Sequence, residues 1–440
     1  MKKSIIIVLL LLGVFAQAQN KKWTLKECVV YALENNISVK QSELDLQATD
    51  IEKLTAIGRF LPTVNASGSV SKNTGLSFDP TTGNSSTTTF LSASGNLNLG
   101  YNLFDGLQNI RQVQRAEISK IAADYRLSKM KDDISLFVAN GYISVILNKA
   151  NLEVLKSQNS VTQEQIERTN QLVEAGSLPR GDLLEIQATD ASEKQSIVNA
   201  ENVIQISLIN LAQLLLIKDY ETFDIEDEGY DIVDEGISNK SASEIIENAK
   251  ANRSEIKIAE QNVALAEKDV QIAKGSYWPT LRAFLGYDTR YTDANPISFG
   301  DQIYLNDGIG YGLSLNIPIL NGFSVKGNVQ RNKINLERSK FQLEQAELDL
   351  ESTVYQAYVD AKGSLKSFEA ANTALESQQL AYDYAKERYD VGLTNAFDFS
   401  QSKLRFDNSK IELNRAKYDY IFKLKVLELY FGIPATELKF

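Results

Sequence analysis

Two stretches of about 70 residues, Gly106–Gly176 and Gly322–Gly392, contain no proline and keep a helical pattern throughout. Each is entered directly from a segment that alternates like a strand, LNLGYNLFDG at 97–106 and LSLNIPILNG at 313–322. Globular helices average three or four turns. At 1.5 Å per residue, 70 residues of helix run to about 105 Å. A helix that long can bury its apolar stripe only against other long helices. Leu336, Leu343 and Leu350 recur every seventh residue, and so do Phe341, Leu348 and Tyr355. A heptad of this kind favours coiled-coil packing. Two interleaved stripes predict neighbours on both sides of the helix, as in the wall of a larger assembly.

The chain is also written twice. Pro62 and Pro279 stand 279 − 62 = 217 residues apart, and Gly106 and Gly322 stand 322 − 106 = 216 apart. Gly176 and Gly392, Asp182 and Asp398, and Pro80 and Pro296 keep the 216 offset. The expected organisation is a signal peptide at 1–18, a first repeat at 19–217, an acidic linker at 218–240 and a second repeat at 241–440. Each repeat reads as two helices, two strands joined by a polar loop, the long helix, a glycine turn and a return helix. The first helices are expected at Leu25–Glu34 and Ala242–Ala251, capped by Thr24 and Ser241 with Glu27 and Glu244 three residues on. The second helices are expected at about 38–57 and 254–274. None of the seven prolines falls inside an expected helix, where each would cost ~3 kcal/mol.

In the strands, Leu91, Ala93, Gly95, Leu97, Leu99, Tyr101 and Leu103 form one face, and Ser92, Ser94, Asn96, Asn98 and Asn102 the other. Residues 309–319 repeat the pattern, Leu281–Tyr291 carries a third such face, and the strand after Pro62 is weaker. Period two of this kind fits a soluble sheet on a core or a sheet in lipid. Lipid is favoured by the segment length, since ~9–11 residues span a bilayer at a tilt. It is also favoured by the small polar residues of the second face. Four strands cannot close in lipid, where a barrel takes about eight or more. Several chains must then share one barrel.

The N-terminus, MKKSIIIVLLLLGVFAQAQ, has a basic start, an apolar run and an Ala16-Gln17-Ala18 cleavage box, so export is expected. The apolar run is shorter than the ~20 residues of a spanning helix. Removing Lys2 and Lys3 leaves 44 basic against 57 acidic residues, a formal charge of 44 − 57 = −13. That excludes a nucleic-acid partner that binds through clustered Lys and Arg. Cys28 is the only cysteine and histidine is absent. Histidine-based catalysis and the common zinc sites are therefore removed. No cofactor and no enzyme activity is expected.

An exported, duplicated chain with the joints YNLFDG and NIPILNG and the turns LVEAGSLPRGD and RYDVGLTNAFD resembles the TolC-type outer-membrane efflux factors over essentially its whole mature length. The resemblance implies a mainly α chain with a transmembrane β-barrel. In that family a homotrimer shares a 12-strand barrel in the outer membrane, and its long helices form a coiled-coil tunnel across the periplasm. Phe104, Gly106, Pro318 and Gly322 would then mark the barrel-to-tunnel joints. The turns would be periplasmic tips that meet an adaptor protein coupled to an inner-membrane pump of the RND or ABC type. Val391, Gly392, Leu393 and Thr394 match the family tip. Gly176 and Leu178, within Ala175–Leu178, depart from it, and Pro179-Arg180 follows.

Asp182, Asp398 and Tyr389 fall at the family's constricted entrance. Glu185 occupies the second gate position in the first repeat and Gln401 in the second. Other readings stay open for each residue. The aspartates suit helix N-termini, Tyr389 suits aromatic packing, and the glycines suit ordinary helix C-caps. The expected function is the exit duct of a tripartite efflux pump or a type I secretion system. The rivals are the periplasmic adaptor of the same system, a structural coiled-coil spacer and a carboxylate enzyme. An adaptor normally has one hairpin between soluble β domains, a spacer has no need of amphipathic strands, and an enzyme needs a pocket.

Overall fold

Both copies of the sequence fold into two helices, a strand pair, a long helix and a return helix. The computed structural model describes residues 22–433 apart from Pro80, Thr82, 227–229, 231 and 235. The expected signal peptide, Pro80 and Pro434 lie outside the described residues. In chain order the elements are β1 (Lys22–Trp23), α1 (Leu25–Asn35), α2 (Ile37–Gly58), β2 (Thr63–Asp79), β3 (Asn84–Phe104), α3 (Gln108–Glu174), α4 (Arg180–Leu214), β4 (Asp224–Ile225), α5 (Ala242–Asn252), α6 (Ser254–Gly275), β5 (Thr280–Thr292), α7 (Phe299–Leu305), β6 (Gly308–Asn316), α8 (Ser324–Asp390) and α9 (Ala396–Phe431). The long helices α3 and α8 have 67 residues each, about 100 Å at the α-helical rise.

The chain divides into two compact units. One comprises Asp45–Asp124 and Ile258–Glu344 and holds the sheet. Its strand order is β2-β3-β5-β6, antiparallel throughout. The register carries the alternation straight across all four strands. Val64, Leu99, Leu285 and Tyr311 form one row, and Ala66, Leu97, Tyr287 and Ile309 the next. Rows such as Asn65, Asn98, Gly286 and Gly310 make the opposite, small and polar face. Ser69–Ser94 and Ser71–Ser92 hydroxyl pairs at 2.8 and 2.9 Å lie on it. On the apolar face Val64, Val70, Ile309, Tyr311, Leu313 and Leu315 are all exposed, and nothing among the described residues covers them.

Two features of the sheet differ from the alternation read in the sequence. The first hairpin is longer: Thr74–Asp79 and Asn84–Phe90 continue the ladder, with Leu76 and Phe78 extending the apolar face beside polar Thr87 and Ser85. In the second, the connection contains the short helix α7 rather than only a polar loop. Buried Gln302 organises it: its side-chain oxygen accepts from Thr292 N at 3.0 Å, and its amide donates to the carbonyls of Thr292, Ile297 and Asn295 at 2.9, 2.7 and 3.3 Å. The strand read over 309–319 ends at Asn316, and Ile317, Pro318 and Ile319 have no strand partner among the described residues.

The other unit comprises Met1–Leu44, Tyr125–Lys257 and Gln345–Phe440. The capping box of α1 forms as its spacing predicts. Thr24 Oγ1 accepts from Glu27 N at 3.2 Å, and Glu27 Oε2 accepts from Thr24 N at 3.1 Å. At α5 Ser241 Oγ accepts from Glu244 N at 3.3 Å. Several described residues of the acidic segment after α4 are held by the rest of the unit. Asp224–Ile225 pairs in parallel with Lys22–Trp23, Lys149 Nζ reaches Asp224 at 2.6 Å, and Tyr142 OH lies 3.0 Å from the carbonyl of Glu226. Lys425, itself buried, donates to the Val233 carbonyl at 2.8 Å.

Gln302→Ala removes the one side chain that serves three loop carbonyls and an N–H. We expect a local loss of about 1–3 kcal/mol. Limited proteolysis of the folded protein should then cut within 292–307 faster than in the parent, while the rest of the chain keeps its protection.

Candidate functional site at the helical turns and joints

The two turns share a backbone and differ in their caps. Gly176 and Gly392 both sit in the left-handed region, with φ of 72° and 76°, where a Cβ is disfavoured. At the first turn Ser177 N bonds back to Leu172 O at 2.9 Å, and at the second Leu393 N bonds to Arg388 O at 2.7 Å. These bonds satisfy carbonyls that the ends of α3 and α8 leave open. The return helices begin differently. Asn395 caps α9, accepting from Asp398 N at 2.8 Å. Pro179 stands at the equivalent place before α4 and supplies no side-chain bond. Asp182 and Asp398 each lie in the first turn of their helix, where a negative charge faces the positive end of the macrodipole. Thr394 Oγ1 donates to Asp398 Oδ2 at 3.3 Å. Val391, Leu393 and Glu185 are exposed, and Leu178 is half-buried.

Tyr389 both packs and hydrogen-bonds. Its ring stacks on Phe399 with centroids 5.0 Å apart and packs with Ile186 and Ala396. Its hydroxyl lies 3.0 Å from Thr169 Oγ1, in a buried bond between α8 and α3. One residue away on each helix, Arg168 pairs with Asp390 at 2.5 Å and also donates to the Asp390 carbonyl at 3.2 Å. Two adjacent polar straps therefore join the long helices just before their turns.

Farther along the return helices lies a buried polar belt. Lys403 of α9 donates to Glu193 of α4 at 2.9 Å and pairs with Asp407 at 3.4 Å. Asn159 of α3 donates to Glu193 at 3.2 Å and to Asp190 at 2.8 Å. Burial pushes the Asp407 carboxyl above the usual range, with the Lys403 charge opposing. A cavity of about 320 Å³ opens beside the belt and is lined by Gln158, Thr162, Glu185, Glu193 and Lys403, among others. Asn395 was readable in the sequence as an Asn-x-x-Asp cap, and Lys403 and Asp407 as an i, i+4 pair. Arg168, Thr169 and Glu193 were not, because their partners lie more than 200 residues away.

The joints belong to the sheet-bearing unit. Phe104 ends β3, and Gly106 and Leu107 both take positive φ, 72° and 65°, before α3 begins. Gly322 and Phe323 repeat this at 57° and 61° before α8. Two successive left-handed residues turn the chain sharply from strand into helix. Gly106 has a second reason to lack a side chain: a Cβ there would collide with the carbonyl of Gly275. Pro318 lies between the end of β6 and the second joint.

The family model for outer membrane efflux proteins matches residues 29–215 and 245–432. The chain is 22% identical to the outer membrane protein TolC of Vibrio cholerae over 315 residues, 71% of this chain and 70% of that protein. In fold it is similar to the outer membrane protein VceC of Vibrio cholerae, with a TM-score of 0.77 at 16% identity, covering 93% of this chain and 96% of that one. The CmeC outer membrane channel of Campylobacter jejuni gives 0.75 at 17% identity, over 94% and 86%.

Removing Lys403 takes the cation from buried Glu193 and leaves Asp407, among the described residues, only Lys410, at 3.6 Å. Lys403→Met should lower the stability of the belt by about 3–5 kcal/mol, read as faster amide exchange over 158–193 and 399–407. Adding Glu193→Leu should restore part of it; no recovery would mean that the loss does not come from the unpaired Glu193 carboxylate. With the family model matching both copies across most of the described residues, the chain belongs to the outer membrane efflux protein family.

Proposed function

We propose that this chain is the outer-membrane exit duct of a tripartite efflux pump or type I secretion system, working as a homotrimer. Three copies supply 3 × 4 = 12 strands to one barrel in outer-membrane lipid. The long helices line the periplasmic passage. The turns around Gly176, Leu178, Val391, Gly392, Leu393 and Thr394 meet a periplasmic adaptor, which couples the duct to an inner-membrane pump of the RND or ABC type. The observation that carries the reading is the sheet itself. Its apolar face is exposed across four strands, and β2 and β6 keep open edges. Lipid covers such a face, and only further strands satisfy such edges. On α8, Leu350 is buried while Phe341, Leu348 and Tyr355 stay exposed, which leaves a second helical stripe for a neighbouring copy. The repeats at 19–217 and 241–440 are each one strand pair and one helical hairpin of that wall.

In this reading Asp182, Asp398 and Glu185 place negative charge at the periplasmic mouth, which attracts cations and repels its own kind. The Tyr389–Thr169 and Arg168–Asp390 straps hold the mouth closed, and its opening loosens them. The chain conducts and does no bond chemistry.

The test is reconstitution in planar bilayers. The parent protein should run as an oligomer in detergent until heated, and should conduct. Asp182→Ala with Asp398→Ala should raise single-channel conductance or weaken cation selectivity; unchanged values of both would remove the two aspartates from the gate. Tyr389→Phe keeps the stack on Phe399 and deletes the bond to Thr169. It should raise the conductance of the closed mouth, and more so with Arg168→Ala. If neither variant differs from the parent, the straps are structural only.

A further inference from the structure

The connection between β5 and β6 folds onto the apolar side of the sheet. Thr289 and Tyr291 stand on that side, opposite Gly95 and Ala93 of β3. Thr289 Oγ1 donates to the carbonyl of Ile303 in α7 at 2.7 Å. The ring of Tyr291 meets that of Phe299, the first residue of α7, edge to face with centroids 4.9 Å apart. So α7 lies against the apolar side, at the end of β5 far from the joints. Two turns of helix are too short to hold themselves. The four bonds of Gln302 fix the loop that carries α7. Asn306 Nδ2 adds a bond to the Arg290 carbonyl at 3.0 Å. The helix is thus shaped before anything covers its outer surface.

The outer surface of α7 is apolar in an unusual place. Tyr304 is 81% exposed and Leu305 68%, and Phe299 is exposed beside its stack. They continue directly into Ile309 and Tyr311, which are exposed on the apolar face of β6. The level of α7 along the sheet follows from the register. Leu281 to Tyr291 covers about 34 Å of strand at the extended rise. At a tilt of ~35–45° that is about 24–28 Å across a membrane, against an apolar band of ~25 Å in a barrel. The next row outward holds Lys72 opposite Leu91, whose backbone is bonded to Asp293. These are the first charges on that face going away from the joints. Thr289 and Tyr291, which hold α7, therefore lie at the outer rim of the band.

We propose that α7 is an interfacial anchor: it lies in the outer leaflet of the outer membrane, with Phe299, Tyr304 and Leu305 turned into the boundary between acyl chains and head groups. The proposal rests on the reading that lipid covers the apolar face of the sheet, and it extends that lipid contact to a helix outside the strands. A tyrosine suits the boundary because its ring is apolar and its hydroxyl is not. Asp301 sits in the first turn of α7 and accepts from Ser298 Oγ at 2.7 Å, which sets this end of the helix at head-group level. Interfacial helices bury their apolar side by only ~5–10 Å, a depth that two turns can reach. The first hairpin has no such device. At the corresponding place it continues its ladder with Asn84–Thr89, so each copy carries one anchor, on its second repeat.

Nitroxide labels on the full-length protein in vesicles of phosphatidylcholine and phosphatidylglycerol test the anchor. Tyr304→Cys and Leu305→Cys carry the label in turn. Leu313→Cys, on the apolar face of β6, is the lipid reference, and Thr88→Cys, on the first hairpin, is the water reference. Cys28 is buried and should take no label in the parent. Labels at 304 and 305 should be relaxed several-fold more by oxygen than by a water-soluble nickel chelate, as at 313, with the reverse at 88. Values at 304 and 305 that match 88, while 313 stays in lipid, overturn the anchor and leave the duct reading standing. Labels shielded from both reagents mean that protein covers α7, which also overturns it. A label at 313 that matches 88 overturns the lipid reading of the sheet and the anchor with it. Adding Gln302→Ala to Leu305→Cys should cut the preference for oxygen at 305, because the helix is no longer held at the rim. An unchanged preference would mean that the label enters lipid by itself and overturns the role of α7.

Discussion

The rest of the structure depends on the backbone hydrogen-bonding groups along the outer edges of the four-stranded sheet. A sheet with one uncovered apolar face belongs in lipid, and in lipid each unpaired N–H or C=O costs several kcal/mol. The single chain pairs β3 and β5 on both sides and leaves β2 and β6 open on one. Nothing inside one copy can remove that cost, because four strands are about half of what the smallest barrel takes. The exposed second stripe of α8 presents the same deficit in helical form.

The two joints translate a two-residue repeat into a 3.6-residue one. A strand cannot bend smoothly into a helix, since side chains that alternate between faces must be redistributed around an axis. Here the change is made in two residues of left-handed backbone, Gly106-Leu107 and Gly322-Phe323. Leucine and phenylalanine in that region are strained by of order 1–3 kcal/mol. Such a conformation persists when the elements on either side hold it; at the first joint the ladder that ends at Phe104 and the 67 residues of α3 do so.

The copies share an order of helices and strands and differ in chemistry and in their hairpins. Asn395 gives α9 a side-chain cap where Pro179 gives α4 none. Tyr389 and Asp390 lie on α8, and their strap partners Thr169 and Arg168 lie on α3. The first hairpin extends its ladder with Ser and Thr, whereas the second folds a helix around Gln302. A duplicated chain can divide its labour in this way because each position is free to change without altering its repeat partner. Much of the architecture was legible from spacing alone: the 216–217 offset, the placement of prolines outside helices and the alternation of Leu97, Leu99 and Tyr101. The far end of the first hairpin was not legible, because its second strand, Asn84–Thr89, is polar throughout and its pairing with Thr74–Asp79 comes from backbone bonds. Nor were the straps or the Lys403 belt, whose members are distant in sequence.

By itself the sequence determined the repeat, the long helices, the apolar face of the strands and the glycine turns, because these follow from local periodicity and from which backbone angles a residue tolerates. Tertiary structure alone decided which hydroxyl meets Tyr389, which carboxylate receives Lys403 and where the ladder of β6 stops. Those outcomes depend on the distance between elements that the chain brings together across hundreds of residues. No local pattern encodes such a distance, and a few tenths of an ångström in it separate a hydrogen bond from a stranded charge.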